Sequence, residues 1–361
     1  RLTYDGTTVT RFLGTIAVAT PDPGAYRGSL TRVTVVDWID QAASTRVRGV
    51  ATQVNQRTDQ VLAALLAVMP VQPEATDLAV GDSTFLYALD NVQDARTRWL
   101  TAAAALMASE GGRLFQRGDG TLRFENRLYR PGYHTAALTL DETMQGLTVS
   151  RSRDDLINRV HVIVHPRRVD AAATTVLYTL TTAPVVNANQ TIHPFGPYGD
   201  PQDGNRRCGG TDLVPPVAGV DYVANTAADG SGADVTGSLT VTAAFGSNGV
   251  RWTILNGGAV AAYLTTLQCR GKGIYDTQRL IMEASDEDGI ADHDVRPATL
   301  DMVYEDDASV ADGFGQAILH LYKDAQTRPQ AVSFLANASA AWMAAARDLD
   351  ISDRIALVES A

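Results

Sequence analysis

Six histidines, two cysteines and a crowd of carboxylates are the groups in this 361-residue chain that could do chemistry. His161 and His165 are four residues apart in RVHVIVHPRR. On a strand that spacing is about 13 Å, too far for one zinc ion without ligands from elsewhere. The other histidines are scattered, and His-Glu-x-x-His is absent. Asp200-Pro-Gln-Asp203-Gly204-Asn205 and Asp286-Glu-Asp288-Gly289 have the composition of calcium loops, but neither has the spaced ligands and closing Glu of an EF-hand. Both are read as solvated turns. Cys208 and Cys269 have no neighbouring histidine and are read as two buried free thiols rather than as nucleophiles or a bridge. Gly230-Ser231-Gly232 lies in a turn cluster, not between a strand and a helix, and Gly-x-Ser-x-Gly is missing. There is no P-loop and no dinucleotide fingerprint. Acids crowd between Glu283 and Asp312, but a charge run is ordinarily a solvated face, and no glycosidase-like pair stands out. The sequence therefore assigns no catalytic, cofactor-binding or metal residue, and the chain is not read as an enzyme.

The elements that would position such groups are mostly strands. Val160, Val162 and Val164 alternate with His161, Ile163 and His165, the period of a half-buried strand, and Pro166 ends it. This strand is expected to close a first domain. Earlier, Leu2 to Tyr4, Asp5-Gly6 and Val9 to Ile16 read as a hairpin with an Asp-Gly turn, and Leu30 to Trp38 as a β-branched strand. Thr58 is placed to cap a helix whose apolar face is Val61, Leu62, Leu65, Leu66 and Met69; a second helix is expected from about Asn91 to Ser109. A hairpin follows through Arg117-Gly-Asp-Gly120. From Val169 to Thr277 the pattern is β and loop. Ala259 to Arg270 is expected to stop at Gly271-Lys-Gly273. Near the end, Ser309 is placed to cap a helix with Val310, Phe314, Ile318 and Leu321 on one face, and strands are expected at Ala331 to Leu335 and Ile355 to Val358.

The expected fold class is α+β and β-dominated. Residues 1–56 and 113–165 form a first β domain, with 57–112 a helical insertion. Residues 166–277 form a loop-rich β domain, and 278–361 a second domain of strands plus one helix. The ending echoes the beginning in coarse order, without a residue-level repeat. The net charge of −11 speaks against an extensive nucleic-acid-binding surface. No apolar run is long enough to cross a bilayer and no signal peptide is recognisable. The chain opens on Arg1 rather than Met and is read as a piece of something longer.

Five stretches taken in order carry a resemblance. They are Arg113 to Arg127 (RLFQRGDGTLRFENR), Asp155 to Val162 (DLINRVHV), Asp221 to Asn225 (DYVAN), Tyr263 to Gly271 (YLTTLQCRG) and Asp350 to Ile355 (DISDRI). This succession resembles the tail-tip (baseplate) hub proteins of long-tailed bacteriophages. Each stretch alone is nonspecific; their order carries the likeness, which covers most of the chain. The resemblance implies a pair of β-barrel-like hub domains with inserted modules, located in the virion at the tail tip. It implies a homo-oligomeric ring, usually of three copies. Its neighbours would be a distal tail ring, a tape measure and a fibre or receptor-binding protein. DNA would pass such a ring without tight binding, and an acidic inner wall would serve that. Two other classes are carried beside it: a tail-associated hydrolase of cell-wall glycan, which needs a carboxylate pair in a cleft, and a carbohydrate-binding β module in 170–277. The module would need exposed aromatics on one sheet face, and Tyr178, Phe195, Tyr198 and Tyr222 are dispersed.

Overall fold

The computed structural model describes residues 2–4, 6–22, 30–132, 134–141 and 144–358. β1 (Leu2–Tyr4) and β2 (Thr7–Val9) are antiparallel with Tyr4 opposite Thr7, which leaves two residues for the turn. Gly6 takes φ +73°, the left-handed conformation such a turn needs; Asp5 lies outside the described residues. The hairpin's second strand stops at Val9, earlier than expected. β3 (Thr15–Asp22) and β4 (Leu30–Val36) then form a separate two-stranded ribbon.

Asp37 ends β4 by capping α1 (Trp38–Ser44), its Oδ1 accepting from Asp40 N, so the strand expected to run through Trp38 gives way to a helix. β5 (Gln53–Arg57), α2 (Thr58–Ala67), β6 (Ala75–Leu78), β7 (Thr84–Ala88), α3 (Trp99–Glu110), β8 (Arg113–Gln116) and β9 (Thr121–Glu125) follow. The segment 57–112, expected to be helical, also holds β6 and β7, which pair outside it: β7 with β5, and β6 in parallel with β9. One core joins the helices to the hairpin, with Leu62, Leu65, Trp99 and Leu106 packed beside Phe85, Leu122 and Phe124. Trp38 and Trp99 meet edge to face at 5.2 Å, and Trp99 Nε1 donates to Leu65 O. α3 begins later than its apolar pattern predicts. Ala95 takes φ +56°, which breaks a helix, and Trp99 N donates instead to Thr45 O.

β10 (Leu138–Leu140) and β11 (Gly146–Ser150) find their partners at the far end of the chain. β12 (Arg159–Val164) shows the alternation read from sequence: Val160, Val162 and Val164 are buried and the residues between them half-buried. Its partners correct one expectation. β12 does not ladder with strands of 1–56 or 113–150; it lies between two strands that come after residue 278. The valine alternation predicted a buried face, but it carried no information on which strands would flank it.

The β-rich section comprises β13 (Arg167–Val169), β14 (Thr175–Thr179), β15 (Val185–Val186), β16 (Thr191–Ile192), β17 (Phe195–Pro197), β18 (Gly199–Asp200), β19 (Asp203–Arg207), β20 (Gly209–Thr211), β21 (Tyr222–Asn225), β22 (Leu239–Phe245), β23 (Gly249–Asn256) and β24 (Ala262–Asp276). β24 is a 15-residue spine against which β13, β14, β15, β20 and β21 all pair. It runs straight through Gly271-Lys-Gly273, where the sequence pattern predicts a stop. A Cβ at Gly273 would fall 2.1 Å from the Tyr275 hydroxyl, so this glycine makes room for a ring rather than for a turn.

The last part holds β25 (Leu280–Ser285), α4 (Glu287–His293), β26 (Pro297–Met302), α5 (Ala308–Tyr322), β27 (Arg328–Ser333), α6 (Ala340–Asp348) and β28 (Ile355–Leu357). β25 is antiparallel and β26 parallel to β12. α5 lays Ala311, Gly315 and Leu319 over Val162 and Ala284. Among the described residues three helices stand where one was expected, and Asp307, not Ser309, caps α5 by accepting from Ser309 N. β10 pairs parallel with β28 and β11 antiparallel with β27. The chain's end also clasps the β8–β9 hairpin: Gly118 N donates to Asp350 and Ser352 Oγ to the buried Glu125. The fold is α+β and β-dominated. Among the described residues no sheet closes into a barrel, and the barrel-like form expected of the β domains gives way to open sheets. No helix among them is long and apolar enough to cross a membrane.

Candidate functional site

The β3–β4 ribbon stands out by its exposure. Opposed residues on paired strands share a face. Ile16 stands opposite Val35 and Ala19 opposite Val33, so these four apolar side chains lie on one face. Every described residue of 15–21 and 31–35 is exposed, with Ile16 at 62%, Val33 at 45% and Val35 at 39%. An apolar face on a ribbon normally marks the side that packs on a core. Among the described residues no core covers it. An isolated two-stranded hairpin is at best marginally stable in water. The same economy appears at β10–β28 and β11–β27, two-stranded pairs flanked by exposed Val149, Leu335 and Val358.

The internal charges, in contrast, are spent on holding the chain together. Arg167, at the start of β13, is buried against Asp90, with Nε 2.8 Å from Oδ2. Its remaining donors reach His165 O and Val303 O. One guanidinium therefore ties the helical region, the β-rich section and the end of β26. Burial alone would lower its pKa; the Asp90 carboxylate overrides this and holds it above the usual arginine value. Asp221 and Arg270 form a second pair, Nε to Oδ1 2.6 Å and Nη2 to Oδ2 2.8 Å. Burial would raise the Asp221 carboxyl, but Arg270 and the N–H of Val217 carry it below the usual carboxylate range.

The sequence candidates resolve individually. His161 bonds Glu283 on β25 at 2.9 Å and His165 bonds Asp301 on β26 at 2.5 Å, so the two face different carboxylates. Among the described residues no group of three His, Cys, Asp or Glu could hold a metal. Cys208 and Cys269 are buried and free, and burial pushes both thiols up to about 12, so neither is a ready thiolate. Ser231 Oγ bonds Asp229 inside its own turn. Asp200 is buried and caps its own turn at Gln202 N. Asp286 begins α4, and the loop around it is organised by Asn158. This buried amide donates to Gly289 O and Asp294 O and accepts from Arg296 N. Asn158 was missed in the sequence; a lone Asn beside an apolar strand is its signal. Of the four dispersed aromatics, Tyr198 and Tyr222 are buried and Tyr178 half-buried, which leaves Phe195 as the exposed one. Arg46 and Arg48 are exposed. Arg168 lies over the Tyr275 ring at 4.3 Å.

Carboxylates do gather in one cleft, of about 670 Å3, lined by Asp82, Glu305, Asp306 and Asp307. Burial raises the Glu305 carboxyl, while bonds from Ser309 lower that of Asp307. Asp82 is paired with Arg127 at 2.7 Å.

No protein-family model matches the chain, and no curated protein matches it. Among solved structures, the tail protein from Neisseria meningitidis MC58 is similar over 44% of this chain and 49% of that one, about half its length, at 15% identity and a TM-score of 0.33.

Proposed function

We propose that this chain is a non-enzymatic building block of the tail of a long-tailed bacteriophage, forming a ring at the tail tip that continues or closes the tube. The observation that carries this reading is the uncovered apolar face of Ile16, Ala19, Val33 and Val35 on an exposed ribbon. Such a face is covered when copies associate, and a repeated head-to-tail contact closes into a ring where its rotation permits. The ordered resemblance of the five sequence stretches supplies the tail-tip context and a ring of three copies. It also supplies the neighbours, a distal tail ring, a tape measure and a fibre or receptor-binding protein. Light scattering on the purified chain, with electron microscopy of any ring, tests this. An oligomer that dissociates when the ribbon face is charged supports it; a ribbon that is dispensable for association counts against it.

A second reading has one observation in its favour. Glu305 and Asp307 share a cleft and have their carboxyls displaced in opposite directions, the arrangement an acid and a base would need. Both also hold local structure: Glu305 accepts from Asp306 N and Asp307 N, and Asp307 caps α5. A cell-wall zymogram that clears, and ceases to clear with Glu305→Gln, would favour the hydrolase.

A further inference from the structure

One face of the four-stranded sheet of β16, β17, β22 and β23 is open to water. On β23, Trp252 and Ile254 are buried, so Arg251 and Thr253 lie on the opposite, exposed side. Residues opposed across a ladder share a face. Arg251 therefore sits between Phe195 of β17 and Ala244 of β22, and Thr253 beside Thr242, with His193 Nδ1 3.2 Å from Thr253 Oγ1. Two features separate this face from an ordinary wet sheet. The Phe195 ring lies against Gly249: a Cβ there would fall 2.5 Å from its Cζ, so the glycine gives the ring room beside the strand, and the residue is still 38% exposed. Next to the ring is a pocket of about 180 Å3, lined by Phe195, Arg251, Asp94 and Arg48 among others. Its polar wall is fixed in place. The Arg251 guanidinium stands 5.7 Å from the Phe195 ring centre and pairs with Asp94, which accepts from Gly49 N at 2.9 Å and is itself only 10% exposed.

We infer that this face binds a neutral glycan, with one pyranose ring stacked on Phe195 at the pocket and the chain continuing over Thr253 and Thr242. Each property selects part of that ligand. A pyranose has a face of C–H groups, which an exposed aromatic ring covers, and a belt of hydroxyls around its edge. Threonine hydroxyls both donate and accept, as sugar hydroxyls do, so the Thr253–Thr242 row can meet that belt in either sense. The Arg251–Asp94 pair sets a donor and an acceptor side by side, the arrangement two neighbouring hydroxyls need. A single nucleic-acid strand would instead need a track of free cations. Here Asp94 neutralises Arg251, and of the residues lining the pocket Arg48 alone adds charge. The inference does not rest on the ring: a monomer could bind the glycan, and a ring could lack this site.

The test is calorimetric titration of the whole chain with three neutral tetrasaccharides: chitotetraose, cellotetraose and maltotetraose. Saturable binding of at least one is expected, with an affinity that changes less than about twofold between about 50 mM and about 500 mM NaCl. Phe195→Ala should weaken it by about tenfold or more, and Phe195→Tyr should restore it to within about threefold. Thr242→Val keeps the side chain's shape, removes its hydroxyl and should weaken binding by about threefold with an unchanged thermal melt. In saturation-transfer NMR the sugar's ring C–H protons should receive the strongest transfer from the protein. Should Phe195→Ala fail to fold, the tyrosine and Thr242→Val variants still decide. Four outcomes would overturn the proposal: no tetrasaccharide binding saturably, an affinity indifferent to Phe195→Ala or Thr242→Val, an affinity that collapses with salt, or an oligothymidylate that binds in place of the sugar.

Discussion

Arg167 and Asp90, 77 residues apart, meet as a nearly dry ion pair with side-chain exposures of 4% and 5%. The pair brings the end of the β5–β7 region onto β13, while Arg167 Nη2 reaches on to Val303 O. A buried charge that loses its partner costs far more than the pair itself contributes. Asp90→Ala should therefore destabilise the chain by about 3–5 kcal/mol. The double replacement Asp90→Leu with Arg167→Met should recover a good part of that loss. Urea unfolding of the three proteins checks this; a single-variant loss within about 0.5 kcal/mol, the range of ordinary surface substitutions, would contradict it.

Val162 is fully buried in β12, under Gly315 of α5. Val162→Asp places a charge there with no partner and should cost several kcal/mol. Arg153→Asp, at an exposed position, serves as the surface control. Equal melting temperatures for the two variants would refute the assignment.

Acid stability should carry the mark of Asp221. Its folded-state carboxyl lies below the ordinary value, so the ionised form is the one the fold favours. The sign follows: this contribution is present above the unfolded value of about 4 and is lost as the pH falls through the lower folded value. Asp221→Asn should be less stable than the parent at pH 7, and the gap should narrow towards pH 2. Urea midpoints across that range measure it; a gap that widens in acid would be the wrong sign.

The acidic stretch from Glu283 bears on DNA. The structure commits several of its members internally: Glu283 to His161, Asp301 to His165, and Asp307 to the start of α5. Glu287, Asp288, Asp292 and Asp294, on or beside α4, stay exposed. Arg167 is buried against Asp90 and Arg168 is stacked on Tyr275, so neither stands free to bind a phosphate. The chain should therefore not shift duplex DNA in a gel at about 50 mM salt, where nonspecific binding is strong. A tight complex under those conditions would oppose a role as a passage for the genome.

The valines of β12, the Leu122–Phe124 hairpin and the α2 stripe were legible in the sequence because each repeats with the period of its element, and burial follows period. The neighbours of β12 were not, since register across more than 100 residues leaves no local trace. α1, α4 and α6 escaped for a different reason. They are helices of seven to nine residues that start from Asp or Ser caps and lack a long apolar stripe. Of the site, the motif order was visible while the uncovered face was not. Ile16, Val33 and Val35 look like core residues in any strand, and only the fold shows that no described residue packs them out of water.

The most direct test of the assembly reading is the mass of the purified chain in solution, by light scattering across a concentration series. A ring-forming oligomer, a trimer for a hub, is expected for the parent. The variant Ile16→Lys with Val33→Lys should be a monomer with the same far-ultraviolet circular dichroism, because both side chains are already in water in the single chain. A parent that stays monomeric at high concentration, or a doubly charged ribbon that assembles as well as the parent, would contradict the account.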